Sequence, residues 1–400
     1  MKKVISTKKN LVTVPRYIRK NVMATMSETI DWSLKILSVP ELWTVTRGEG
    51  IKVCLLDTGV DHNHPDLKDN IKDIVDFTGS LFGTYDTYGH GTHCAGIVAA
   101  QSNNSGIIGV APMVELYVAK VIGDDGVGTV ESVVDGIDWA IKERVDIISM
   151  SIGTYEQDDS FYAAIRRAYD AGIILIAASG NEGINYMSYP GKYDECISVG
   201  SVNTQLFRSN FSGGGSGLDI VAPGENIYST YPGGTYALLE GTSMAAPFVA
   251  GVCSLILSKH RTMGGATPIN NCRDMLEHLQ KNARDIGERG FDFACGWGLI
   301  DPKASFDLGC LENIYSTERN CNKGHSESLI IAKEKCLSMI ADKEKNISDF
   351  DLQKFVMGQA SCFERVYNSE RKRGIGHNEA MNRAKDVFAI SKEVLFANLV

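Results

Sequence analysis

The chain has 400 residues, 44% hydrophobic and 22% charged, with 40 glycines and ten cysteines. This composition excludes a largely disordered chain, a collagen-like repeat and a coiled-coil rod, and no run approaches the ~18–20 continuous apolar residues of a membrane-spanning helix. The net charge of −9 is uneven: residues 1–30 carry seven basic residues against one acidic, residues 31–310 carry 19 against 35, and residues 311–400 carry 14 against 13. The acidic centre argues against a grip on nucleic acid and suits the basic arm to pack upon it.

The length allows two or three units. Met1 to Lys9 is charged with no apolar run behind it, which argues against a secretory signal. The cysteines form no CxxC pair and no zinc spacing, so the expectation is a cytoplasmic protein with free thiols. Ile51–Leu56 reads as a strand ending at Asp57-Thr58-Gly59, and Leu116–Ile122 as another. Val130–Arg144 has helical spacing in Val130, Val133, Val134, Ile137, Ala140 and Ile141, with Thr129 as N-cap and Glu131 in the first turn. Val145–Ile152 is a strand, Ser160–Ala171 a helix stopping at Gly172, and Ile173–Ala178 and Ile197–Val202 are strands. Met244–Leu257 is an almost wholly apolar helix. Beyond Cys310 the chain turns polar, with helices predicted over about 325–342, 349–370 and 377–397 and a capping box at Ser348 and Asp351.

Alternating strands and helices predict an α/β fold with a parallel sheet and helices on both faces, plus a C-terminal helical extension. The expected divisions are a basic extension over 1–30, an α/β domain over 31–309 and the helical extension over 310–400. No repeat of 20–50 residues is present, which excludes a solenoid. In such sheets the reacting groups gather at the carboxyl ends of the strands.

Four segments carry chemistry: Leu56-Asp57-Thr58-Gly59, Gly89-His90-Gly91-Thr92-His93-Cys94, Ser179-Gly180-Asn181-Glu182-Gly183 and Gly241-Thr242-Ser243-Met244-Ala245-Ala246-Pro247. Taken singly, each reads as a turn, a metal fragment or a helix cap. Together they supply a serine, an imidazole to activate it, a carboxylate to hold the imidazole, and an amide to receive developing negative charge. Cys94 follows His90 by four residues, so on a helix the two share a face; a small buried core residue is the alternative to a functional thiol.

On these segments the chain resembles the subtilisin family of serine proteases, and among them the intracellular subtilisins, from about Trp32 to Leu308. The Asp…His…Ser order is the one for which subtilisin is the reference case. The resemblance implies that Asp57, His90 and Ser243 are the triad and Asn181 the oxyanion donor. It implies that Gly126-Val127-Gly128 and Ser151-Ile152-Gly153 sandwich the substrate backbone as an added strand. Ala177-Ala178-Ser179-Gly180 and Ser188-Tyr189-Pro190-Gly191 would wall the S1 pocket, with Glu182 the carboxylate nearest in sequence. Broad cleavage after large apolar or long side chains is expected. Asp66, Gln101, Asn103, Ser105 and Ile107 match the family's tight site for Ca²⁺, a structural cofactor. Cys94 matches a cysteine of relatives similar to proteinase K and implies inactivation by mercurials.

The intracellular members carry a short N-terminal extension across the cleft with a proline at the active site. Leu11-Val12-Thr13-Val14-Pro15-Arg16-Tyr17 stands at a similar distance before Asp57. The expectation is that residues near Val14–Tyr17 block the site until cleaved; a plain basic tail is the alternative. The expected activity is that of a serine endopeptidase acting on polypeptides, with no nucleic-acid or membrane partner and a homodimer as a candidate assembly. A dedicated processing protease recruited by the C-terminal helices, and a non-catalytic peptide-binding homologue, are the other classes left open.

Overall fold

The structure, a computed structural model, describes residues 11–15, 18–22, 27–263 and 269–306. Contacts divide the chain into two units, and the first, Met1–Val39 with Thr46–Ser305, carries the sheets and the candidate site described below. The second takes Pro40–Val45 and the chain from Phe306 onward. The predicted C-terminal helices, Cys310, Cys321, Cys336 and Cys362, and also Arg16 and Tyr17, lie outside the described residues.

The strands are β1 (Leu11–Thr13), β2 (Ile18–Val22), β3 (Lys52–Asp57), β4 (Ile71–Asp76), β5 (Glu115–Lys120), β6 (Val127–Thr129), β7 (Ile147–Met150), β8 (Ile174–Ala178), β9 (Ile197–Val202), β10 (Ile220–Pro223), β11 (Ile227–Tyr231) and β12 (Thr235–Glu240). The helices are α1 (Trp32–Ile36), α2 (Val39–Leu42), α3 (His90–Ala99), α4 (Val130–Lys142), α5 (Asp159–Asp170), α6 (Thr242–Met263), α7 (Cys272–Asn282) and α8 (Pro302–Ser305).

Seven strands form one sheet in the order β10-β9-β8-β7-β3-β5-β4, and every neighbouring pair is parallel. β7 to β10 are buried at every position. Continuous apolar runs of this kind are what a sheet covered on both faces requires. The helices cover it as packed pairs, α3 with α6 and α4 with α5. On α4 the buried Val130, Val133, Ile137 and Ala140 recur every three or four residues and form its inner stripe. Thr129 caps it by accepting from the Ser132 N–H at 3.1 Å, and the Ser132 hydroxyl accepts from the Thr129 N–H at 3.2 Å. α5 starts one residue before its predicted position because Asp158 accepts from the Ser160 and Phe161 N–H groups, and Gly172, at φ +81°, ends it.

Successive strands lie to either side of β3, with β5 and β4 on one flank and β7 to β10 on the other. The carboxyl end of β3 is therefore a topological switch point, where such sheets open a crevice. Asp57 is its last residue. α6 runs six residues past the predicted Leu257; its apolar stretch is long enough to cross a membrane by length and composition, and is wholly buried as a core helix. The six described cysteines, Cys54, Cys94, Cys196, Cys253, Cys272 and Cys295, are free and buried.

β4 and the antiparallel hairpin β11–β12 were not among the predicted elements. The N-terminal arm is strand rather than tail where it is described: β1 pairs antiparallel with β6, and β2 with β12.

Candidate active site

His90 is the first residue of α3, and its Nδ1 lies 2.7 Å from Asp57 Oδ1. Both are buried, at 0% and 1% exposure. The approach needs Gly91: a Cβ there would fall 2.2 Å from the Gly59 carbonyl oxygen and 3.2 Å from Asp57 Cβ. Asp57 Oδ1 also accepts from the Thr58 N–H at 2.7 Å, which fixes the carboxylate plane.

Ser243 is the second residue of α6 and is fully buried. Pro247 sits four residues on and has no N–H, so the Ser243 carbonyl loses its helical donor. Two side chains replace it: Ser151 Oγ donates at 2.8 Å and Cys94 Sγ at 3.4 Å. The Ser243 hydroxyl donates in turn to the Ser151 carbonyl at 3.4 Å. Cys94 Sγ also lies 3.8 Å from His90 Nδ1. The predicted shared face is thus observed, and the thiol bridges the histidine turn to the serine turn. Burial, and then the charge of Asp57, push the Cys94 thiol well above its ordinary pKa, so it stays a protonated donor here.

Asn181 follows the carboxyl end of β8 and is half-buried. Its Oδ1 accepts from the Thr242 N–H and hydroxyl, both at 2.9 Å. The first N–H groups of a helix have no partner within it, so Asn181 caps α6 from another segment. That bond turns Nδ2 toward the Gly241–Ser243 turn; a Cβ on Gly241 would stand 3.1 Å from it.

The two segments expected to sandwich a peptide backbone flank the arm. β1 pairs with β6 in the register Leu11↔Thr129, Val12↔Gly128 and Thr13↔Val127. Thr13 N–H donates to the Gly153 carbonyl at 3.0 Å, Gly153 N–H donates back at 2.9 Å, and Val14 N–H donates to the Gly126 carbonyl at 3.2 Å. Val12 and Val14 are buried, while the Leu11 and Thr13 side chains are exposed. Ile152, next to Gly153 in sequence, is buried. The two stretches expected to wall the S1 pocket stand together, since Ser188 N–H donates to the Ser179 carbonyl at 3.0 Å and Tyr189 exchanges bonds with Thr154 at 2.8 and 3.0 Å. Ala177, Ala178, Ser179 and Gly180 are buried, and Glu182 stands at the surface of the following turn.

The loop 101–107 gathers oxygen donors. Asp66 Oδ1 accepts from Asn103 Nδ2 at 2.9 Å, and Oδ2 from the Ile107 N–H at 2.9 Å and the Tyr236 hydroxyl at 2.8 Å. Gln101 Nε2 donates to the Pro65 carbonyl at 2.9 Å, and the Ser105 hydroxyl to Asn103 Oδ1 at 2.9 Å. Glu28 joins them: it accepts from the Asn103 and Asn104 N–H groups at 2.9 and 3.1 Å and from Ser102 Oγ at 3.1 Å. Two carboxylates from other segments, Glu28 and Asp66, thus meet the Asn103 amide at this loop, donors of the type a hard cation such as Ca²⁺ takes.

Three residues were missed in sequence. Glu28 is one, 74 to 76 positions along the chain from the Ser102, Asn103 and Asn104 groups it accepts from. Asp86 is another, fully buried, accepting from Thr58 Oγ1 at 2.8 Å, Tyr88 N–H at 3.1 Å and Gly89 N–H at 2.7 Å, and from the Thr92 N–H and hydroxyl at 2.8 and 2.7 Å. It ties the Asp57 turn to the start of α3, and burial raises its pKa against those donors. The third is Lys120, fully buried opposite Asp57 in the sheet, with Nζ bonded to the Thr58 carbonyl at 2.8 Å, the Tyr85 carbonyl at 3.1 Å and Asp124 at 2.9 Å. Asp86 and Lys120 have near neighbours among their partners, but the bonds that tie them to the Asp57 turn, through Thr58, span 28 and 62 residues, and no local pattern announces them.

The pattern of the subtilase family matches residues 48–298. Subtilisin DY of Bacillus licheniformis is 41% identical over 284 residues, 70% of this chain and 99% of that protein. An intracellular serine protease of Paenibacillus polymyxa is 44% identical over 236 residues, 57% of this chain and 72% of that protein. The M-protease of Shouchella clausii (strain KSM-K16) is 38% identical over 291 residues, 72% of this chain and 73% of that protein.

Proposed function

Because this chain belongs to the subtilase family of serine peptidases, we propose that it is an endopeptidase forming an acyl-enzyme on Ser243 and held inactive by its own N-terminal segment. The chemistry is carried by the 2.7 Å contact of His90 Nδ1 with Asp57 Oδ1. In this reading His90 bears its proton on Nδ1, held by Asp57. Nε2 takes the Ser243 Oγ proton as Oγ attacks the scissile carbonyl carbon. The tetrahedral oxygen accepts from Asn181 Nδ2 and the Ser243 N–H. His90 then returns the proton to the leaving nitrogen as the C–N bond breaks. Water, activated by the same imidazole, splits the ester and restores Ser243.

The reciprocal bonds between Thr13 and Gly153 support the inhibition. A strand lodged between Gly126–Gly128 and Gly153 occupies the place a substrate backbone would take. Pro15 follows Val14 directly, and its ring holds φ near −65° and removes an N–H, a shape that resists productive attack. The seven basic residues of the arm favour docking on the acidic domain. Ca²⁺ is proposed as a structural cofactor held by Glu28, Asp66, Asn103 and the carbonyls of the 101–107 loop; it takes no part in the bond-breaking steps. The buried free thiols and the intracellular relative support a cytoplasmic location.

The test is mass spectrometry of the purified protein beside Ser243→Ala, with fluorophosphonate labelling of both. Wild type is expected to lose the arm and take the label; the variant does neither. A well-folded, trimmed wild type that cuts no polypeptide overturns the reading.

A further inference from the structure

We propose that the outer edge of β12 is a docking strand for the part of a substrate polypeptide that lies beyond the scissile bond, on its C-terminal side. The inference rests on the peptidase reading above. β12 ends at Glu240 and leads directly into Gly241, Thr242 and Ser243. Along one side it pairs with β11, from Ile227↔Leu239 to Tyr231↔Thr235. Along the other it takes β2 of the arm, antiparallel, from Ile18↔Glu240 to Val22↔Tyr236.

The arm is thus added as a strand twice, at Leu11–Thr13 on β6 and at Ile18–Val22 on β12, with Ser243 following the end of the second site in sequence. Only residues 14–17 join the two pairings. Once processing has removed the chain through Val22, the β12 edge presents unpaired N–H and C=O groups, a template for another strand. A polypeptide that takes the arm's route supplies that strand. Counted from Pro15, Ile18–Val22 are the third to seventh residues beyond it.

The edge is preformed. Ala237 and Leu239 are fully buried, the Tyr236 hydroxyl donates to Asp66 at 2.8 Å, and the Ala237 carbonyl lies 3.1 Å from His93 Nε2. A rigid template spares the ordering cost of binding. Main-chain pairing supplies affinity with little regard to side chains. The substrate class that follows is an extended, unfolded chain with about seven residues free beyond the cut; short peptides and tight loops gain nothing from β12.

The test uses enzyme processed beyond Val22, verified by its mass, and a set of peptides identical up to the cleaved bond, with two, four or seven residues beyond it, and a p-nitroanilide with none. Expected is a rise in kcat/KM of about tenfold from two to seven residues, the worth of one or two net backbone hydrogen bonds, taken mainly in KM. Antiparallel ladders bond through alternate residues. N-methylation of the seven-residue peptide in one alternating register is therefore expected to erase the rise, and in the other to spare it. A flat kcat/KM, or indifference to N-methylation in both registers, with the p-nitroanilide still cleaved, overturns the docking strand and leaves the peptidase standing. Failure to cleave any of the peptides, the p-nitroanilide included, takes down both.

Discussion

Truncating Val12 tests whether β1 lies where a substrate backbone would lie. Val12 is fully buried, whereas Thr13 pairs through its backbone and leaves its side chain exposed. Val12→Ala removes two buried carbons at about 0.8 kcal/mol each, so about 1.6 kcal/mol of arm affinity. Since 1.4 kcal/mol is a factor of ten, the arm binds about fifteenfold more weakly. The measurement is the Ki of synthetic peptides spanning residues 8–22 against the processed enzyme, read as early inhibition of a short chromogenic substrate. Val12→Ala is expected to raise Ki by about that factor, and Thr13→Val by less than about twofold, in line with surface substitutions. N-methylation at Thr13 removes the donor to Gly153 and should weaken inhibition severely. Equal Ki values for wild type and Val12→Ala, or a larger loss from Thr13→Val, refute the placement.

Three further outcomes are expected. Asn181→Ala should lower kcat by about 10²–10³ with little change in KM, the signature of a donor used in the transition state; steady-state kinetics on one peptide decides it. Chelation should lower the Tm, and Glu28→Gln should shrink the rise that added Ca²⁺ restores; thermal scans with and without Ca²⁺ that coincide for wild type would remove the metal site. Burial holds His93, whose Nε2 lies 3.1 Å from both the Ile227 and Ala237 carbonyls, neutral down to about pH 3. The unfolded chain binds that proton near pH 6.5, so stability is full above pH 6.5 and falls as pH drops through that window. The slope is about 1.4 kcal/mol per pH unit, and urea unfolding at pH 6, 5 and 4 should show it flattened in His93→Gln.

Much of the scaffold was legible because its signals are local. Thr129 reads as a cap and is one; Gly172 reads as a stop and takes positive φ; β9 spans the predicted Ile197–Val202. Elements without a local signature escaped. β4 is an edge strand with every residue partly exposed, so its sequence has no apolar run. The hairpin β11–β12 depends on partners outside itself, with His93 bonding both strands.

The residues of the candidate site divide the same way. Aspartate, histidine, asparagine and serine could be named from the linear chain, because the chemistry demands those types and each sits in a short glycine-flanked segment at an element's end. Their mutual geometry could not. It was tertiary structure that laid the Asp57 carboxylate against His90, turned the Asn181 amide by giving its oxygen to Thr242, and supplied Ser151 and Cys94 to a Ser243 carbonyl that Pro247 deprives of its helical donor. Tertiary structure likewise decided the register of the arm on β6 and β12 and the arrival of Glu28 at the 101–107 loop. Hydrogen bonds between segments far apart in sequence leave no periodic mark, so the chain alone states which groups are present and only the fold states which groups meet.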